Sequence, residues 1–192
     1  MDNDGRSIEY EIEIADSQNH LKIDEAFLRE VVRKTLAAEN VVAAQISIAI
    51  VDNAAIRILN KRYLSHDYDT DVLSFLLENE TPTADSSSPV PTGRGGGKRI
   101  EGELIVSAEM AAARAAEFDW RSQDEIVLYV VHGLLHLAGY DDLSAGEKRL
   151  MRAQEREVLQ FWDLTPRYDD SDDDQPRPDL SPRPQREARI GS

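Results

Sequence analysis

The sequence predicts an α+β fold: one domain with a mixed sheet of about four strands, about five helices, and a buried helix at the centre. Three observations lead there. Runs with apolar residues at every second position fall mostly in the first half of the chain. Helical periodicities with their own start signals separate and follow those runs. One late helix, over Asp124 to Ala138, is apolar on nearly every side, as only a helix surrounded by protein can be. A layered sheet with helices packed on it is the arrangement that buries all three kinds of segment.

The first element, Ile8 to Ile14, alternates strictly and presents one apolar face. Asp24 is placed to cap a helix whose Phe27, Val31 and Leu36 share a side. Ile46, Ile48 and Ile50 alternate again, with small or apolar residues between them, so this strand is expected to be more central than the first. A short helix over 53–63 turns Ile56, Leu59 and Tyr63 inward. Val72 to Leu77 and Leu104 to Val106 are the third and fourth strands. Ser107 caps an alanine-rich helix reaching Phe118. Ser122 with Glu125, and Ser144 with Glu147, form capping boxes for the last two helices, which end near Ala138 and Phe161.

All eight prolines fall between Pro82 and Pro91 or between Pro166 and Pro184, whereas residues 8–78 hold neither Gly nor Pro. Residues 1–165 therefore read as the folded domain, with a flexible loop insert at 79–99 rich in Ser, Pro and Gly. Residues 166–192 combine an acidic run with repeated Pro-Arg and read as a disordered tail. Cysteine is absent, which excludes disulfides and thiolate metal sites. The acidic N-terminus is not a secretory signal, and no apolar run approaches the roughly 20 residues of a membrane span. A cytoplasmic protein is expected. The formal charge of −15 argues against broad attraction to nucleic acid.

Chemistry concentrates in His132-Gly133-Leu134-Leu135-His136-Leu137-Ala138-Gly139-Tyr140-Asp141-Asp142. Two of the four histidines in the chain lie here, four residues apart, which puts both imidazoles on one helix face. Glu125, Tyr129, His132 and His136 form the one polar stripe of an otherwise apolar helix. Burying two unpaired imidazoles is costly, and a metal ion satisfies both at once. Two nitrogens and a nearby carboxylate suffice for a zinc ion with one position left open. The zinc-peptidase pattern His-Glu-x-x-His is absent, because Gly133 occupies the position of its glutamate. That glycine leaves room either for close backbone packing or for a substrate.

This stretch resembles the bacterial endoribonuclease and rRNA maturation factor family, whose signature is His-Gly-x-Leu-His-Leu-x-Gly-Tyr-Asp-His. Asn60 to Phe75 is similar to the family's second signature, an Asn-x-x-Tyr-Arg segment running into Thr-Asp-Val-Leu-Ser-Phe. Gly102-Glu103-Leu104 matches its Gly-Asp/Glu-Ile strand. The resemblance implies a zincin-like domain with one Zn2+ per chain, and hydrolysis of single-stranded RNA in 16S rRNA 3′-end maturation and ribosome quality control. Implied partners are that rRNA, the small ribosomal subunit and its associated proteins. By position, His132 and His136 match the first two metal ligands.

Two residues depart from the pattern. The family's third ligand, a histidine, falls on Asp142, and a carboxylate oxygen is also a zinc donor. Asp141 is then expected to orient the turn. Leu64 stands where the family has an arginine credited with substrate contact, which leaves Arg62 and His66 as the nearby candidates. Glu103 or a metal-bound hydroxide is the candidate general base. Lys61, Arg62, Lys98 and Arg99, if gathered at the metal, would favour RNA as substrate. A zinc-stabilised ribosome-assembly protein without strong nuclease activity is the second reading.

Overall fold

The computed structural model describes residues 9–80 and 93–168. Ile8, the middle of the expected loop and the expected tail beyond Tyr168 lie outside the described residues. The element order is β1 (Glu9–Asp16), α1 (Glu25–Ala38), β2 (Ala43–Val51), α2 (Asn53–Leu64), β3 (Val72–Glu80), β4 (Arg99–Ser107), α3 (Ala108–Glu117), α4 (Ser122–Ala138) and α5 (Ala145–Leu159), then a 3-10 turn at Gln160–Trp162. The strands form one sheet in the order β1-β2-β4-β3, with the first two pairings parallel and the last antiparallel. This is the expected mixed α+β architecture, and β2 is interior while β1 is an edge.

Alternation along the strands sorts side chains to two faces. Ile46, Ile48, Leu104 and Val72 face the large core shared with α1 and α4. Val51, Leu73 and Ile105 face the other way and pack with Ile56 of α2. The helix α4 contacts α1, α3, α5, β3 and β4, the position its all-round hydrophobicity demands. Two glycines set how closely it approaches the sheet. A Cβ on Gly133 would lie 2.8 Å from a Leu104 methyl, and one on Gly102 would lie 2.6 Å from a Leu137 methyl. Gly133 thus serves backbone packing, not substrate access.

Asp24, Ser107 and Ser144 cap α1, α3 and α5 as expected, each accepting from a backbone N–H of the first turn. The expected Ser122–Glu125 capping box does not form. Arg121 is the N-cap of α4 and makes no side-chain cap bond, while its guanidinium grips Asp124 at 2.7 Å. Glu125 turns inward, because it belongs to the polar stripe of the helix rather than to its end. Tyr63 was expected inside and is exposed, its ring edge-on to Phe75. The inward side of α2 is instead formed by Ile56 and Asn60.

Both ends of the loop expected at 79–99 are ordered into the fold. Asn79 and Glu80 pair with Ile100 and Arg99, and Gly97 N–H donates to the Asn40 carbonyl. Arg94 and Lys98 bind the carbonyls of Gly139 and Ala138, neutralising the C-terminal end of α4. Arg167 and Tyr168, read from composition as the start of the tail, pack on the domain: Arg167 donates to the Phe118 carbonyl, and the Tyr168 hydroxyl reaches a buried carboxylate.

Candidate metal centre

The helix α4 runs up to Gly139, whose φ of +110° ends it in the left-handed region that a glycine adopts without strain. The N–H groups of Gly139 and Tyr140 both donate to the Leu135 carbonyl, and the chain folds back. Asp141 then accepts from the N–H groups of Asp142 and Leu143, an Asx turn that fixes the direction of Asp142. Asp142 is 7% exposed and points toward the histidines of the preceding helix turn. Ligand atoms of His132, His136 and Asp142 all lie within 4.8 Å of one another.

Hydrogen bonds orient both rings. His132 Nδ1 is 2.6 Å from Oε1 of Glu155, and His136 Nδ1 is 3.1 Å from the Tyr140 carbonyl. Both partners are acceptors, so each Nδ1 carries the proton and each Nε2 keeps a bare lone pair. Those two lone-pair atoms face each other at 3.0 Å. Two lone pairs repel at that distance unless a proton or a metal ion lies between them. Tetrahedral zinc with Zn–N bonds of about 2.0–2.1 Å holds its nitrogens about 3.3 Å apart, close to this arrangement. Asp142 Oδ1, 4.0 Å from His136 Nε2, supplies the carboxylate of the donor set. Burial first, and His132 beside it second, hold the His136 imidazolium well below the usual histidine range, leaving a neutral ring to donate.

Glu155 was not legible as a site residue. It is 2% exposed, and its second oxygen accepts from the Tyr168 hydroxyl at 2.5 Å. A Tyr168–Glu155–His132 chain therefore reaches the centre from α5 and the segment after it. Its members are separated by 13 and 23 residues, so no local pattern announces it.

The centre opens into a cavity of about 540 Å³ lined by Tyr68 to Asp71, by α3, by Glu125, Tyr129 and His132 of α4, and by α5. Burial pushes the Glu125 carboxyl in this cavity up to about 7, against the opposing hydrogen bond to Tyr129. Such a shift commonly marks a catalytic acid or base. Geometry decides against that role here. Seven residues separate Glu125 from His132, about 10 Å along a helix, beyond proton-transfer reach of a group held by the histidines.

The remaining expected residues are not brought to the centre. Glu103 lies between Gly102 and Leu104, which both face α4, so it projects from the opposite side of the sheet with Ile105. It is excluded as general base by that alternation. Arg62 is exposed on α2, its guanidinium 5.4 Å from the Tyr63 ring. His66 stacks on Tyr68, and only the latter lines the cavity. Lys61 pairs with Asp67, Lys98 caps α4, and Arg99 begins β4, so the expected basic cluster does not assemble. Arg114, Lys148, Arg152 and Arg167 line the cavity instead. Asn60 donates to the Tyr68 carbonyl and holds the lining loop in place, while Thr70 donates to Asp71 at its edge.

The family model described as "Endoribonuclease YbeY" matches residues 13–163. The chain belongs to the YbeY endoribonuclease family. A YbeY endoribonuclease from Salinibacter ruber is 41% identical over 138 residues, covering 72% of this chain and 83% of the relative. Another, from Geobacillus thermodenitrificans, is 35% identical over 159 residues, 81% and 97% of the two chains. The solution structure of a Thermotoga maritima protein, 23% identical, aligns with a TM-score of 0.48 over 79% of this chain and 91% of that one. In YbeY terms, the three-residue His132, His136 and Asp142 cluster is the candidate metal centre of this chain.

Proposed function

We propose that this chain is a zinc-dependent endoribonuclease that cuts single-stranded RNA in the cytoplasm, acting in 16S rRNA 3′-end maturation and ribosome quality control with the small ribosomal subunit and its proteins. The observation that carries the reading is the pair of Nε2 atoms facing each other at 3.0 Å beside the Asp142 carboxylate, in a chain of this family. Zinc, when bound, supplies a Lewis acid for a phosphodiester and lowers the pKa of water.

The protein's part is to hold one such ion and leave a side of it open. His132 and His136 would bind through Nε2, and Asp142 through a carboxylate oxygen. Glu155 keeps the His132 ring in the ligating tautomer, as the Tyr140 carbonyl does for His136. A carboxylate in the third position makes the site less positive than three imidazoles would. A family arginine is replaced by Leu64, which packs with the α2 side of the sheet and cannot grip phosphate.

The test combines zinc analysis and cleavage of a single-stranded oligoribonucleotide in wild type, Asp142→Ala and His136→Ala. We expect one zinc per wild-type chain, zinc loss in both variants, and cleavage lost with it. A wild type without stoichiometric zinc would refute the proposal. Full zinc with no cleavage would favour the zinc-stabilised assembly protein, the reading to which Leu64 and the charge of −15 lend weight.

A further inference from the structure

Lys148 stands in the first turns of α5, is 8% exposed, and lines the cavity that contains His132 and Asp142. Its Nζ has no hydrogen-bond partner among the described residues. An ammonium carries three donors, and withdrawing it from water without a partner is among the costlier things a fold can do. The other cations of the cavity have uses within the chain. Arg114 pairs with Glu117 at 2.9 Å, Arg152 lies 4.4 Å from the Tyr168 ring centre, and Arg167 donates to the Phe118 carbonyl. Two carboxylates that line the cavity with it, Glu155 and Asp142, are also engaged. Glu155 holds His132 and Tyr168, and Asp142 faces the histidines.

We infer that Lys148 binds the substrate's phosphate, donating from Nζ to a non-bridging oxygen of an RNA phosphodiester that enters the cavity beside the metal centre. This rests on the ribonuclease reading above and names a residue that grips the substrate where Leu64 cannot. A lysine suits the task as a point charge on a flexible stem that reaches an oxygen without needing a fixed fork geometry.

The test uses the full, zinc-loaded chain and two variants, Lys148→Met and Lys148→Arg. Binding of a fluorescent single-stranded oligoribonucleotide is followed by anisotropy over a salt series. Loss of one phosphate contact on a single strand lowers the slope of log K against log salt by about 0.7. Lys148→Met should show that drop, bind about tenfold more weakly at low salt, and keep its zinc. Its metal-free form should melt at a higher temperature than wild type, since a buried, unpaired charge has been replaced by an apolar chain of similar shape. Lys148→Arg should retain the wild-type slope. An unchanged slope in Lys148→Met overturns the inference, as does loss of zinc from that variant, which would make Lys148 a support of the metal cluster. If wild type itself holds no zinc and binds no RNA, the ribonuclease reading fails and this inference falls with it.

Discussion

At the scale of single residues, the candidate centre depends on groups that do not touch a metal. A histidine ring free to flip or change tautomer offers the wrong nitrogen part of the time. Glu155 removes that freedom for His132, and Tyr168 holds Glu155 in turn. Carboxylates in such positions are typically worth about 10–100-fold in metal affinity. Glu155→Gln should therefore weaken zinc binding by about that factor in a chelator competition, with Tyr168→Phe affected less and in the same direction. An affinity unchanged in Glu155→Gln would mean that the helix backbone alone orients the ring. His132 and His136 were legible because an i,i+4 relation is local; the turn after Gly139 offered two aspartates, and Asp142 was singled out because it falls at the ligand position of the family that the motif resembles. Glu155 could be found only after α5 had packed on α4.

At the scale of elements, α4 carries the site because it is held close to the sheet. Gly133 sits where any side chain would meet Leu104 and Val72. Gly133→Ala should cost about 1–3 kcal/mol in a urea melt, the usual penalty for overpacking a filled core. Zinc affinity should fall as well, since His132 is the neighbouring residue and moves with the backbone. A substitution that leaves both unchanged would show that α4 can lift from β4 freely. The helix and strand patterns were readable here because period and burial agree, as in Ile46–Ile50 and in the all-apolar α4. The capping box at Ser122 misled because Glu125 answers to the cavity, and local pattern does not report which side of a helix faces one. Glu103 misled for a related reason: its neighbours reach the core, and strand alternation sends it to the other face.

For the whole molecule, the segment before β3 and the helices α3, α4 and α5 surround a cavity with one unusual acid. Glu125 holds its proton to about pH 7, against an ordinary value of 4.5. Between those values the folded chain retains a proton that the unfolded chain releases, so stability falls as pH rises across that window. The loss from this group is on the order of 3 kcal/mol and is complete above its folded pKa. Glu125→Gln should flatten the difference, melting at a higher temperature than wild type at pH 8 and nearly the same at pH 4.5. Parallel curves for the two proteins from pH 4.5 to 8 would show that Glu125 ionises normally. No helix among the described residues is long and apolar enough to cross a membrane. A formal charge of −15 gives no general attraction for RNA, so the proposed substrate contact depends on local cations such as Arg114, Lys148, Arg152 and Arg167 of the cavity.

By itself the sequence determined the two histidines, the turn with its pair of aspartates, the buried helix beneath and the succession of strands and helices along the chain, though not the order of strands in the sheet. Each of these is set within a few residues by spacing, capping or alternation. Only the tertiary structure decided that Glu155 and Tyr168 support the centre, that Glu103 is on the far side of the sheet, and that Lys148 rather than Arg62 or Lys98 faces the cavity. Those relations join residues far apart in the chain. They exist because apolar burial drives α4 between the sheet and its neighbouring helices, and the polar groups carried along must then find partners where that packing leaves them.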